Sequence, residues 1–264
     1  RVVGRTNGNV HLRREQYRIA DNDEISLKIS KNFIIGKLSN SRKILMRAIR
    51  DHKEKMNGEE IQKTVDELMD QIKKIENIEN KDSLRGIEGE SARNYFGNFN
   101  QMILSQKNDF VFNSRNRRPP KDKVNALLSF LYTLLTYDVQ SALESVGLDS
   151  YVGFFHSDRP GRAGLALDMM EEIRAYMVDR LVLTLINRKQ IDSKGFDEKE
   201  NGSVLLNEKG RNIVIEAWQK KKQEEIVHPY IDEKINIGLL PYVQSQLLAR
   251  YIRGDIDEYP PFLI

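Results

Sequence analysis

The chain has 264 residues, 39% hydrophobic and 31% charged, with a net charge of +3. That is enough for one large domain with a core, and the charge is too balanced to announce a nucleic-acid binder by itself. Cysteine is absent, which excludes disulfides, thiolate nucleophiles and thiolate zinc sites. No apolar run reaches the ~20 residues of a membrane span, and the opening RVVGRTNGNV has no apolar leader core, so a cytoplasmic location is expected. The opening also lacks a Met and reads as strand and turn, as if the N-terminus of a longer protein were missing. Charge is segregated: residues 1–50 carry 12 Lys/Arg against 4 Asp/Glu, and residues 51–90 carry 7 against 12. This suggests one positive side, with a mixed solvated surface as the alternative.

In chain order, residues 1–36 read as β. Val2–Val3 and Val10–Leu12 flank the turn signal Asn7-Gly8-Asn9, and Glu24–Ile29 alternates as a half-buried strand does. A linker is expected at 37–40 and a mainly helical domain from 41 to 264. Ile44, Leu45, Ala48 and Ile49 form one side of a first helix, and Ile61, Val65, Leu68 and Ile72 recur at helical spacing in a second. The stretch from Val124 to Val146 is apolar nearly all round and is followed by Gly147, a residue suited to ending a helix, so it predicts the central helix. A second long helix is expected from about Leu165 to Asn187, a polar turn or hairpin loop at Lys194–Gly202, a helix at Gly210–Glu225 carrying Trp218, and another within Tyr230–Ile252.

The candidate chemistry concentrates in three stretches. In Gly153–Arg174, the acids Asp168, Glu171 and Glu172 are spaced to share one helical face. A divalent cation or plain solvent would relieve their repulsion. His156 follows an apolar approach and could sit at the edge of a core; His11, His52 and His228 read as surface residues. In Leu84–Phe99, Glu88 lies between Gly86 and Gly89. Each interior glycine costs a helix about 1 kcal/mol, which tight packing of another helix would offset, or a ligand at Glu88. In Ser114–Lys123, five basic residues and one acid form a loop around Pro119-Pro120, suited to a phosphate backbone or to solvent. Arg159 and Arg162 beside His156 point the same way. Nucleotide-binding loops, a nucleophile elbow, H-E-x-x-H and paired Glu-x-x-His motifs are absent. Carboxylates with one His and no Cys favour Mg²⁺ or Mn²⁺ over zinc.

Taken together, R-G-I-E-G-E-S-A-R-N-Y-F, R-R-P-P-K-D-K-V-N-A-L-L-S-F-L-Y and G-F-F-H-S-D-R-P-G-R-A-G-L-A-L-D-M-M-E-E-I-R resemble, in order and spacing, the CRISPR-associated adaptation integrases. These are metal-dependent DNA endonucleases that insert short duplexes into the repeat array. The H-S-D-R-P-G-R form looks most like the type I-C branch. The resemblance implies a β-rich N-terminal domain, here mostly absent, joined by a linker to a helical catalytic domain. It implies Glu88, His156 and Glu171 as ligands of Mn²⁺ or Mg²⁺, with Asp168 beside the metal and important to activity, and Glu172 as a bystander. Arg117, Arg118, Lys121, Arg159 and Arg162 would hold the DNA backbone. The implied partners are double-stranded DNA, a second copy of the chain and a small ferredoxin-like adaptation subunit, with no membrane. Two rival readings are a non-catalytic helical DNA-binding or assembly subunit and a metal nuclease outside CRISPR adaptation.

Overall fold

The computed structural model describes residues 9–264. Amide and carboxylate side chains start its long helices. Asn9 Oδ1 accepts from the backbone N–H groups of His11 and Leu12 and opens α1, Val10–Asp21. Asn22 accepts from Ile25 N at 3.0 Å and opens α2, Asp23–His52, with Asp23 and Glu24 in its first turn. Asn57 caps α3 (Gly58–Ile75), Asn80 caps α4 (Lys81–Gly97) and Asp122 caps α5 (Lys123–Ser145). Each cap satisfies N–H groups that the helix leaves unpaired.

The first two helices overturn the β reading of residues 10–36; residues 1–8 lie outside the described part. Val10–Leu12 is the first turn of α1, and Glu24–Ile29 is helical. The expected linker at 37–40 falls inside the unbroken 30-residue α2. The physical reason lies in the inner face of α2, which buries Ser26, Ser30, Lys37, Asn40 and Ser41 among Ile29, Phe33, Ile34, Leu38, Ile44 and Leu45. A hydropathy pattern misses a helix whose buried stripe is partly polar. Those polar groups are tied down: Ser26 Oγ donates to Phe154 O at 3.2 Å, and Asn40 Nδ2 donates to the carbonyls of Glu172 and Phe262.

Helix α5 is the centre expected from its composition. Leu127, Leu128, Leu131, Leu135, Val139 and Leu143 have no exposed surface. It ends at Gly147, whose φ of 92° suits a residue without a Cβ. Leu148 N donates back to Leu143 O and Gly147 N to Glu144 O, closing the helix as a Schellman motif. Against it packs the second long helix. This runs as α6 (Gly164–Arg174), a π turn (Ala175–Asp179) and α7 (Arg180–Asn187). The remaining elements are hairpin β1–β2 (Phe196–Glu198, Val204–Leu206), α8 (Glu208–Gln223), hairpin β3–β4 (Glu225–Val227, Lys234–Asn236) and α9 (Leu240–Ile252). Buried apolar residues form one cluster from Leu12 in α1 to Phe262 in the tail. Among the described residues, no helix is long and apolar enough to cross a membrane.

Candidate active site

Helix α6 is buried along its whole length, so each of its acids needs partners of its own. Asp168 is fully buried. It accepts from the backbone N–H groups of Phe154 (2.6 Å), Phe155 (2.9 Å) and His156 (2.9 Å), and its Oδ1 lies 2.6 Å from His156 Nδ1. The carboxylate therefore folds the 153–156 segment around itself. Against this acceptor the ring donates through Nδ1, which turns Nε2 to the opposite side of the imidazole. Glycine is required at the base of this loop. A Cβ on Gly153 would lie 2.8 Å from both Asp168 Oδ2 and the Gly164 carbonyl carbon.

One turn further on, Glu171 faces α2 and α4. Its Oε2 lies 2.7 Å from Lys37 Nζ and 3.0 Å from Arg174 NH1. Glu88, projecting from α4, pairs with the same Lys37 ammonium. Lys37 is only 3% exposed, so Glu88 and Glu171 converge on one buried positive charge. Burial alone would raise the Glu171 carboxyl. The charges of Arg174 and Lys37 outweigh it and hold the group well below the ordinary carboxylate range. Arg174 lies over the rings of Tyr132 and Phe96, 4.9 and 5.8 Å from their centroids, and Tyr95 and Tyr132 donate to Asp179 at 2.9 and 2.5 Å behind it. Arg85, one turn before Glu88, donates to Phe155 O at 3.2 Å. That contact ties the helix of Glu88 to the loop of His156.

Glu172 points the other way. Tyr259 Oη and Gln244 Nε2 donate to its Oε1, and Phe262 N donates to its Oε2 at 2.9 Å. All its donors are neutral, and burial pushes its carboxyl up to about 7. Gln244 Oε1 in turn meets His228 Nε2 at 3.0 Å. His228 is fully buried, against the expectation of a surface residue, while His11 and His52 are exposed. The three acids of α6 thus fan out to separate partners instead of sharing one ion.

Two basic loops rim the site. Arg117, Arg118, Lys121 and Arg159 are exposed and Arg162 half-buried. Burial, then the like charges of Arg159, Arg117 and Arg118, lowers the Arg162 guanidinium, and Asp168 opposes this. Arg162 is therefore within electrostatic reach of the other three arginines of the two loops and of the acid that holds His156. The 114–122 loop is braced by Val204 N donating to Pro120 O at 2.9 Å. Beside Glu88, a Cβ on Gly86 or Gly89 would meet nothing within 4 Å. No helix packs there, and the glycines leave the surface next to the carboxylate open.

No three His, Asp or Glu side chains among the described residues are gathered closely enough to hold an ion as they stand. The donor chemistry nevertheless fits a hard divalent cation: two carboxylates converge on a positive charge, and an imidazole stands on the adjacent loop with Nε2 turned away from Asp168. Glu171 Oε2 is buried, and the cations beside it are the Lys37 ammonium and the Arg174 guanidinium.

The family model described as CRISPR associated protein Cas1 matches residues 1–220. The chain belongs to the Cas1 family. It is 52% identical over 262 residues to CRISPR-associated endonuclease Cas1 1 of Chlorobaculum tepidum, an alignment covering 99% of this chain and 76% of that relative. It is 44% identical over 252 residues to CRISPR-associated endonuclease Cas1 of Leptospira interrogans, covering 96% of this chain and 99% of the relative. Among solved structures, a chain of a Cas6-RT-Cas1–Cas2 complex superposes with a TM-score of 0.83 at 25% identity, covering 99% of this chain and 28% of that one.

Within this Cas1 chain, the fold brings together Glu88, Glu171 and Lys37, and separately His156 and Asp168. Sequence reasoning missed Lys37, which sat in an expected linker, and also Arg85 and Arg174. Arg174 carried a signal: three residues after Glu171 on a helix, it can reach the same carboxylate. Lys37 carried none.

Proposed function

We propose that this chain is a metal-dependent DNA endonuclease and integrase of CRISPR spacer acquisition, of a type I-C-like branch, joining short duplexes into the repeat array by transesterification. The observation that carries the reading is the convergence of Glu88 and Glu171 from two helices on one cationic position, beside a loop that presents His156 and an arginine rim. In the reaction, the 3′-hydroxyl oxygen of a short duplex forms a new P–O bond. The P–O bond to the displaced 3′ oxygen breaks, that oxygen takes up a proton, and the attacking hydroxyl gives one up. With water as nucleophile the same displacement is hydrolysis.

Glu88, Glu171 and His156 Nε2 would hold Mn²⁺ or Mg²⁺, which when bound supplies charge neutralisation and polarisation of the phosphodiester. The chain's own residues do the positioning that in-line displacement needs in place of a covalent nucleophile. Asp168 fixes the tautomer and direction of His156. Gly86 and Gly89 leave room for a backbone beside Glu88. Arg117, Arg118, Lys121, Arg159 and Arg162 neutralise phosphates of double-stranded DNA. By likeness to the solved Cas1–Cas2 assembly, a small second adaptation subunit is the proposed partner, together with a second copy of this chain.

One observation favours a second reading, a non-catalytic DNA-binding or assembly subunit: Lys37 already neutralises the two carboxylates. Glu171→Ala and His156→Ala decide between them, assayed for Mn²⁺-dependent integration and for disintegration of branched DNA. Loss of both activities, with DNA binding retained, is expected. Wild-type activity in either variant would sink the assignment, and equal activity on plain duplex and branched DNA would point to an ordinary nuclease.

A further inference from the structure

We infer that Lys37 is a built-in counter-ion of the metal-free site, competing with the divalent ion for Glu88 and Glu171 and yielding its place when the ion binds. The inference rests on the metal reading above and goes beyond it, because it assigns a role to a residue outside the ligand set. Three observations carry it. Lys37 is 3% exposed and reaches both carboxylates, from two different helices. A buried ammonium is retained only where it is paired. Close packing of α2 on α6 delivers it: at the preceding position, a Cβ on Gly36 would lie 2.7 Å from Glu172 Cβ, so only glycine lets the backbone of α2 come near enough for Lys37 to touch Glu171.

The electrostatics give the sign. Without Lys37 or an ion, Glu88 and Glu171 would share a small space with Arg174 as the nearest remaining cation, 3.0 Å from Glu171 Oε2. Lys37 neutralises that pair and holds both side chains on one point. A divalent ion arriving there meets two assembled carboxylates but also a resident positive charge that it must displace. Lys37 therefore stabilises the empty site and weakens the apparent affinity for metal. Lys37 is thus a positioning residue with a cost that can be measured.

The test is Mn²⁺ binding to the full chain, measured by titration calorimetry on wild type, Lys37→Met and Lys37→Arg, with Tm in chelator and in saturating Mn²⁺. Lys37→Met should bind Mn²⁺ about tenfold more tightly or better, a factor that corresponds to ~1.4 kcal/mol. It should also have a lower Tm than wild type in chelator, with the deficit closing in Mn²⁺. Lys37→Arg should return affinity towards wild type. A purely structural lysine would leave affinity unchanged or weakened in Lys37→Met, and that result overturns the inference. Absence of Mn²⁺ binding in wild type overturns the metal reading instead. In case the substitution does not fold, acetylation of Lys37 in the wild type provides a second readout by mass spectrometry. Labelling should be faster in saturating Mn²⁺ than in chelator, and equal rates would overturn the inference.

Discussion

Glu171 and Glu172 are adjacent in the chain, both buried on α6, and end in opposite electrostatic states. Glu171 looks into a polyionic cleft, where Arg174 and Lys37 hold it below the carboxylate range. Glu172 looks towards the C-terminal tail, where Tyr259, Gln244 and a backbone N–H supply hydrogen bonds but no charge, and burial raises it to about 7. Cations decide the difference, because desolvation acts on both. One neighbour therefore sits among buried cations, and the other holds the tail to the core.

The largest test removes the cation behind Glu171. Arg174→Met would leave Glu171 and Asp179 short of a buried partner, with an expected loss of about 3–5 kcal/mol in denaturant unfolding. It would also move Glu171 towards the state of Glu172. A variant as stable as wild type would show that Lys37 alone maintains the contrast.

Next in size is the pH dependence of the pair, which has opposite signs. Glu171 is lowered in the fold, so its contribution is present above 4.5 and is lost as pH falls further. Glu172 is raised from 4.5 to about 7, so its contribution is complete below 4.5 and disappears as pH rises through 7. At 1.36 kcal/mol per pH unit this amounts to about 3 kcal/mol. Glu172→Gln should be less stable at pH 5 and should flatten the decline between pH 4.5 and 7. A decline as steep as wild type would mean that Glu172 does not titrate there.

Gly36→Ala should cost about 1–3 kcal/mol through overpacking. By parting α2 from α6 it should disturb both acids, whereas a change confined to the tail would disturb only Glu172. The smallest effect on stability is expected from Arg159→Ala with Arg162→Ala, on the exposed loop that follows His156. Thermal stability should hardly change, while duplex DNA binding should lose up to about 1.8 from its salt slope, at ~0.9 per phosphate contact. An unchanged slope would remove these arginines from the DNA surface.

Legibility in the sequence followed local chemistry. The central helix, its glycine stop and the basic loop within Ser114–Lys123 could be read because apolar runs, Gly and Pro act on their own neighbourhoods. Helix α2 could not, because the residues that should have marked its buried face include Ser26, Ser30, Lys37 and Asn40, and Ser26, Lys37 and Asn40 find their partners on distant elements. The same applies to His228, buried against Gln244, and to Glu172, which reads as a bystander until Tyr259 and Phe262 reach it from the tail.

The sequence by itself determined a mainly helical chain, the Cas1 resemblance, and the residue types able to bind a hard cation and a phosphate backbone. Tertiary structure alone decided which acids face which charges. That assignment depends on pairings between α2, α4, α6 and the tail across large separations in sequence, and no local pattern encodes whether a buried carboxylate will meet an ammonium or a hydroxyl.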